Sequence, residues 1–172
     1  MSETIETAMI GYRNYDEYVS SFMDNVPFRG KSLSEWEAEV QLPVVNEHSD
    51  TADLRAANAK FIEILRIVNS NYAYAKAAYK TCEVHYQAAM LASKKEIMER
   101  FEAQEIKRRP SIEALNSMAM EECKTKYIAM NIAESFLDYW HIQNEKIKVF
   151  DSRLGGLGYL VSLEERYSTR GQ

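Results

Sequence analysis

The chain has 172 residues, of which 46% are hydrophobic, and its formal net charge is −5. That length fits one domain of ordinary size, and that apolar content excludes disorder throughout the chain. Six Gly and three Pro are too few for the turns of a many-stranded sheet, so the composition predicts an all-α fold. The sequence has no basic-then-apolar leader and no apolar run of about eighteen residues, which favours a cytoplasmic protein without membrane association.

Most of the negative charge lies in the N-terminal third. Residues 1–55 hold eleven Asp/Glu and four Lys/Arg, a net charge of −7, whereas the rest holds fifteen Asp/Glu and seventeen Lys/Arg, a net charge of +2. Such a segment is either a solvated arm or an acidic arm that screens or imitates nucleic acid. The sequence therefore predicts two parts, an acidic segment with short helices over residues 1–50 and a helical hairpin with a short C-terminal helix over residues 51–168.

A short helix is predicted within the acidic segment. Ser32 is followed three positions later by Glu35, the capping-box pattern that marks a helix start. Trp36 is the predicted anchor of this helix. The polar residues Leu42–Thr51 form the predicted linker, and Thr51 or Asp53 is the predicted cap of the helix that follows.

The stretch Asn58–Arg109 has neither Gly nor Pro and repeats apolar or small side chains at steps of four and three, the spacing of a helix that packs along another helix. As one helix it would be a rod roughly 75 Å long, covered along its seam by another helix of this chain or of a second copy. Asn69–Asn71 is its weakest turn, where a kink is the alternative. The predicted seam consists of Phe61, Leu65, Val68, Tyr72, Ala75, Tyr79, Cys82, Tyr86, Ala89 and Ser93.

A second long helix is predicted after a break at Pro110, with Ser111 as its cap, from Ile112 to about Phe150. The two helices then form a hairpin, in which residues whose numbers sum to about 220 face each other. The Gly155–Gly158 cluster is expected to end or bend the second arm. Its predicted seam consists of Ala129, Ala133, Phe136, Trp140, Gln143, Ile147 and Phe150.

No catalytic motif is present: the sequence has no nucleophile elbow, phosphate loop or Cys-x-x-Cys pair. The fold-back places Tyr79 near His141 and Cys82 opposite Asp138. A metal site built from Cys82, His85, Asp138 and His141 is therefore a weak alternative to plain helix packing. The prediction is a non-enzymatic protein without metal or cofactor, whose two cysteines stay reduced.

Basic residues cluster at the end of the first arm. They are Lys94, Lys95, Arg100, Lys107, Arg108 and Arg109. A solvated face salt-bridged to neighbouring glutamates explains this cluster. The alternative is a phosphate-binding surface, which would gain strength if several copies aligned. Tyr74 lies off the seam and is the best aromatic candidate for contact with a nucleic-acid base.

The layout resembles the phage recombination mediators of the UvsY type over about residues 52–165. The resemblance is carried by Leu54–Asn58, Lys94-Lys95, Tyr127–Ile147 and the tail Asp151–Val161. It implies a small all-α protein of the host cytoplasm that forms a homo-oligomeric ring, binds single-stranded DNA and assists a recombinase against the single-strand-binding protein. It makes Lys94 and Lys95 the first candidates for DNA contact.

Two functions follow as hypotheses. The first is a non-catalytic, phage-type recombination mediator that holds single-stranded DNA through the basic cluster. The second is a phage-type protein-binding inhibitor or adaptor, which uses the acidic segment against a nucleic-acid-binding protein. Its predicted apolar anchors are Tyr12, Tyr15 and Trp36, in an acidic rim.

Overall fold

A computed structural model describes residues 25–46, 49–104 and 109–170, with side chains up to residue 163. This part of the chain forms four helices: α1 (Leu33–Glu39), α2 (Thr51–Ala103), α3 (Ile112–Glu122) and α4 (Lys124–Arg170). It contains no strand, and its one β-bridge joins Phe28 to Lys31. The predicted all-α fold is confirmed, with a long antiparallel helical hairpin at its centre.

The chain divides into two compact units. The first unit comprises the described residues up to Ile67 together with those from Phe150 onward, and the second is Val68–Val149. Each unit contains part of α2 and part of α4. The predicted boundary near residue 50 falls inside the first unit.

In the first unit, a tight turn directly precedes helix α1. Arg29 and Gly30 both have positive φ, as a two-residue turn requires, and Phe28 and Lys31 exchange backbone hydrogen bonds across it. The predicted capping box is present, because the Ser32 side chain accepts from the Glu35 backbone and the Glu35 side chain accepts from the Ser32 backbone. These contacts fix the start of α1 and present Trp36 to the core of the unit.

Asp50, rather than the predicted Thr51 or Asp53, caps α2. The Asp53 backbone N–H donates to the Asp50 carboxylate at 2.8 Å, and the Asp50 backbone N–H donates to the Asp53 carboxylate at 3.4 Å. A carboxylate at this position accepts a hydrogen bond from an N–H group that has no partner inside the helix. Its negative charge also interacts favourably with the positive end of the helix dipole. The predicted linker is partly built into the core, since Val45 is buried.

The helix pair of the first unit packs Phe61 of α2 against Phe150 of α4, with ring centroids 5.3 Å apart. Helix α4 then continues through Gly155–Gly158 to Arg170, so the expected helix end at the glycines is wrong. Each glycine costs about 1 kcal/mol relative to alanine in a helix interior. Burial of Phe150 and Leu154 on the same helix offsets that cost.

In the second unit α2 and α4 run antiparallel with a register different from the predicted one. Tyr72 packs against His141 and Tyr86 against Tyr127, with ring centroids 5.9 and 5.4 Å apart. The residue numbers in both pairs sum to 213, so the predicted neighbours Tyr79 and His141 are wrong by seven residues. The physical reason is that α2 ends at Ala103, six residues before Arg109, which moves the midpoint of the connection toward the N-terminus.

The second arm begins as predicted but is interrupted. The Ser111 side chain accepts from the Ala114 backbone and caps α3. Helix α3 ends at Glu122, and Cys123 separates it from α4. Helix α2, by contrast, runs without interruption through Asn69–Asn71, where a kink was the alternative.

The predicted seam of α2 is confirmed, because all ten of its residues are buried or half-buried. We call it the inner seam. The shift of seven residues leaves the same helix faces in contact, since seven residues are close to two full turns. On α4 the predicted seam is buried or half-buried from Ala133 to Phe150, whereas Ala129 is exposed.

Candidate functional site

The basic cluster lies at the end of α2 and after it. Lys94, Lys95 and Arg100 are on the last turns of α2, and Arg109 precedes Pro110. Lys107 and Arg108 lie outside the described residues. Lys124 and Lys126, at the start of α4, add two further cations in the second unit.

Four of the six described cations pair with carboxylates. Lys95 pairs with Glu99 at 3.6 Å, Arg109 with Glu102 at 3.1 Å, and Lys124 with Glu121 at 3.7 Å. Arg100 pairs with Glu122. Counted over residues 94–126, eight Lys/Arg stand against seven Asp/Glu, a net charge of +1. A phosphate group would have to compete with these internal partners for the cations.

Glu122 connects the two arms of the hairpin. Arg100 donates to one oxygen of its carboxylate and the Ser93 hydroxyl donates to the other. These two donors hold the pKa of Glu122 below its ordinary value, Arg100 having the larger effect. In return the carboxylate raises the pKa of Arg100. Arg100, a predicted DNA contact, therefore has an ion-pair partner within the hairpin.

Lys94 and Lys126 form no ion pair with a described residue. Lys94 is half-buried and Lys126 is exposed. Lys126 lines an open groove of about 540 Å³ between α2 and α4, together with Cys82, His85, Ala88, Ala89, Ala92 and Ala129. Besides the imidazole of His85 and the ammonium of Lys126, the groove is lined by alanines and a thiol.

The four residues weighed as a metal site do not come together. Within the described ranges no group of three or more His, Cys, Asp or Glu side chains could hold a metal ion. The register explains this result, because His141 packs on Tyr72 while Cys82 and His85 line the groove beside Lys126. The seven-residue shift separates the two pairs along the helices.

The tyrosines of α2 differ in burial according to whether they lie on the inner seam. Tyr72, Tyr79 and Tyr86 are half-buried on the inner seam, and the Glu134 carboxylate on α4 raises the pKa of Tyr79. Tyr74 lies off the inner seam and is 52% exposed, and its contact with a base stays a prediction.

Trp36 does not form an exposed anchor. Its side chain is only 8% exposed, its indole N–H donates to the Phe28 carbonyl at 2.8 Å, and Lys31 lies 4.6 Å from the ring centroid. Trp36 is thus part of the core of the first unit, and its role as a protein-binding residue stays a prediction. Tyr12 and Tyr15, the other two predicted anchors, lie outside the described residues.

Sequence reasoning missed a set of large apolar side chains exposed on the long helices. Val84 and Leu91 of α2 are 50% and 70% exposed, and Ile142 and Val149 of α4 are 53% and 72% exposed. Val84 and Leu91 are seven residues apart, and so are Ile142 and Val149. That spacing is the sequence signal that could have identified both pairs.

None of the described helices has an apolar stretch long enough to cross a bilayer. Comparison with known protein families, with characterised proteins and with solved structures gives no significant match. The likeness to UvsY-type mediators thus rests only on the residues that carry it in the sequence.

Proposed function

We propose that the protein is a non-catalytic protein-binding module, which acts as an inhibitor or adaptor of another protein. It acts in the cytoplasm, which is that of the host cell if a phage encodes the protein. One observation carries the proposal: the hairpin exposes large apolar side chains, whereas three of the four described cations of its basic cluster pair with carboxylates. Ile142 and Val149 of α4 are more than half exposed, whereas Arg100 pairs with Glu122. Exposed apolar groups on helices favour association with proteins.

The partner in this proposal is a basic, nucleic-acid-binding protein, for example a recombinase or a single-strand-binding protein. The support is the net charge of −7 over residues 1–55. Complementary charge accelerates encounter and selects partners, while buried apolar contacts supply most of the affinity. The acidic segment would therefore direct the encounter.

The test compares two full-length variants with the same change in charge. The first replaces Asp16, Glu17 and Asp24 with their amides, and the matched control replaces Glu63, Glu96 and Glu113, which are exposed on α2 and α3. Binding to a purified recombinase and to a purified single-strand-binding protein is measured by biolayer interferometry at two salt concentrations. The first variant should lose affinity and salt dependence, and the control should keep both. Equal losses in the two variants would contradict the proposal.

Single-stranded DNA binding, as in a recombination mediator, is the second candidate. Lys94 and Lys126 favour DNA binding, because neither forms an ion pair with a described residue. Lys95 favours it as well, because its side chain is 78% exposed despite its contact with Glu99. Phosphate contacts predict affinity that falls steeply with salt, and base stacking predicts little sequence preference. Tyr74 is the accessible aromatic for stacking.

Fluorescence anisotropy of a labelled oligonucleotide tests the second candidate. The variant Lys94→Gln/Lys95→Gln/Lys126→Gln is compared with Lys60→Gln/Lys76→Gln/Lys80→Gln, which removes the same charge from exposed positions of α2. Salt-sensitive binding lost only in the first variant would support a DNA site. An absence of binding at low salt would exclude it and leave the protein-binding proposal standing.

A further inference from the structure

Helix α2 carries a second row of residues with the spacing of a helix-packing seam, on the side away from α4. The outer stripe, as we call it, consists of Tyr74, Ala77, Thr81, Val84, Ala88 and Leu91. Its steps of three and four match the inner seam, displaced by two residues, or about 200° around the helix. All six residues are exposed. Within the second unit α2 thus has one seam packed on α4 and a second row of exposed residues with the same spacing.

The same stretch of the hairpin lacks buried residues. On α2 no residue from Lys76 to Ala92 is buried, although Val68, Asn71 and Ala75 before it and Ser93 and Ile97 after it are. On α4 no residue from Lys124 to Ser135 is buried. Two helices alone leave their shared seam partly open to water, and a third helix alongside would cover it. The open groove that contains Ala88 borders the outer stripe.

We propose that the outer stripe is a two-fold interface, in which α2 packs antiparallel on α2 of a second copy of this chain. An isologous interface needs a surface that complements itself after a two-fold rotation. The stripe has this property, because side-chain size follows the same order from both ends: large, small, β-branched, β-branched, small, large. Rotation about its centre pairs Tyr74 with Leu91, Ala77 with Ala88 and Thr81 with Val84.

Charge selects the antiparallel orientation over the parallel one. Lys94 and Lys95 follow the stripe at one end, and the residues at its other end, Ser70–Ala73, carry no charge. Parallel pairing would bring the lysines of both copies together, whereas antiparallel pairing places them beside the uncharged turn of the partner. Lys80 at the flank is already paired with Glu83 at 2.7 Å, so it adds little repulsion.

Sedimentation of the full-length chain alone tests self-association, with neither DNA nor another protein present. Its outcome is therefore independent of the proposed binding function. The chain should pass from monomer to dimer as concentration rises. The variant Val84→Gln/Leu91→Gln should weaken dimerisation at least about a hundredfold, because each lost apolar contact occurs twice in a two-fold interface. The control Ile142→Gln/Val149→Gln removes side chains of matching exposure from α4 and should dimerise as the wild type does.

Pulsed electron paramagnetic resonance tests the orientation and leaves the stripe itself unaltered. The spin label is placed at Lys76→Cys in a chain with Cys82→Ser, while the buried Cys123 stays protected from labelling. The antiparallel dimer separates the two labels by about 20 Å along the helix axis, whereas parallel pairing sets them side by side. A chain that stays monomeric overturns the proposal. So does a dimer that both glutamine variants affect equally, or one whose labels lie side by side.

Discussion

Arg100 of α2 and Glu122 at the end of α3 form an ion pair that joins the two arms of the hairpin next to their connection. The Ser93 hydroxyl donates to the same carboxylate. In the sequence, Arg100 belongs to a cluster that fits either phosphate binding or a salt-bridged face, and the structure gives it an internal partner. Substitution of Glu122 therefore tests whether the basic cluster serves the fold.

The variant Glu122→Gln should loosen the hairpin beside its connection. Amide hydrogen exchange should become faster in the last turns of α2 and in α3, because the charged hydrogen bonds to Arg100 and Ser93 are lost. The neighbouring Glu121→Gln removes only the longer contact with Lys124 and serves as the control. Equal exchange in the two variants would show that the Glu122 contacts contribute nothing to stability.

The same pair predicts a dependence on pH. The pKa of Glu122 is lowered from its ordinary value of 4.5, so the stabilisation is fully present above that value and is lost as the pH falls through the lowered pKa. Thermal unfolding of the wild type and of Glu122→Gln should therefore differ at neutral pH and converge in strong acid. A difference that persists unchanged in acid would argue against the ion pair as its source.

The glycines of α4 should be replaceable with a gain in stability. A Cβ atom at Gly155, Gly156 or Gly158 meets no atom within 4 Å, and alanine is favoured over glycine in a helix by about 0.5–1 kcal/mol. Each Gly→Ala variant should raise the free energy of unfolding by that amount in urea titrations. Gly30→Ala should instead lower it, because Gly30 has φ +83°.

Trp36 should prove essential for stability. The variant Trp36→Phe keeps most of the apolar ring but removes the donor to the Phe28 carbonyl, a buried bond, which should cost about 1–3 kcal/mol. The exposed Tyr159→Phe should change the free energy of unfolding by less than about 0.5 kcal/mol. Urea titration measures both. A Trp36→Phe variant of full stability that fails to bind a partner would support the prediction of Trp36 as a binding anchor.

The sequence was sufficient to predict which faces of the helices pack together, but not which residues face each other across the two arms. The period of four and three in α2 was sufficient to identify the inner seam, because burial of apolar side chains imposes that period on any packed helix. The register depends on where α2 ends, and Pro110 gave only an upper limit for that point. Helix α2 ends at Ala103, so every cross-arm pair moved while the packed faces did not.

The candidate site was harder to predict than the fold. The sequence shows Lys94, Lys95 and Arg100 near several glutamates, but the pairing of Arg100 with Glu122, twenty-two residues away, follows only from the path of the connection. The row that contains Val84 and Leu91 could have been found from the sequence. Their spacing repeats the inner seam at an offset of two residues, and a search of every helical frame would have found it.

The register itself can be tested by double-mutant cycles. Tyr86 and Tyr127 are in contact, so Tyr86→Ala and Tyr127→Ala should show a coupling energy of about 0.5–1.5 kcal/mol. Tyr72→Ala and His141→Ala should also be coupled, because their rings are 5.9 Å apart. The pair expected from a fold-back at Pro110, Tyr79→Ala with His141→Ala, should be additive within about 0.5 kcal/mol. Because His141 takes part in two of these cycles, one substitution compares both registers against the same background. Coupling of His141 to Tyr79 and not to Tyr72 would restore the register centred on Pro110, and with it the convergence of Cys82 and Asp138.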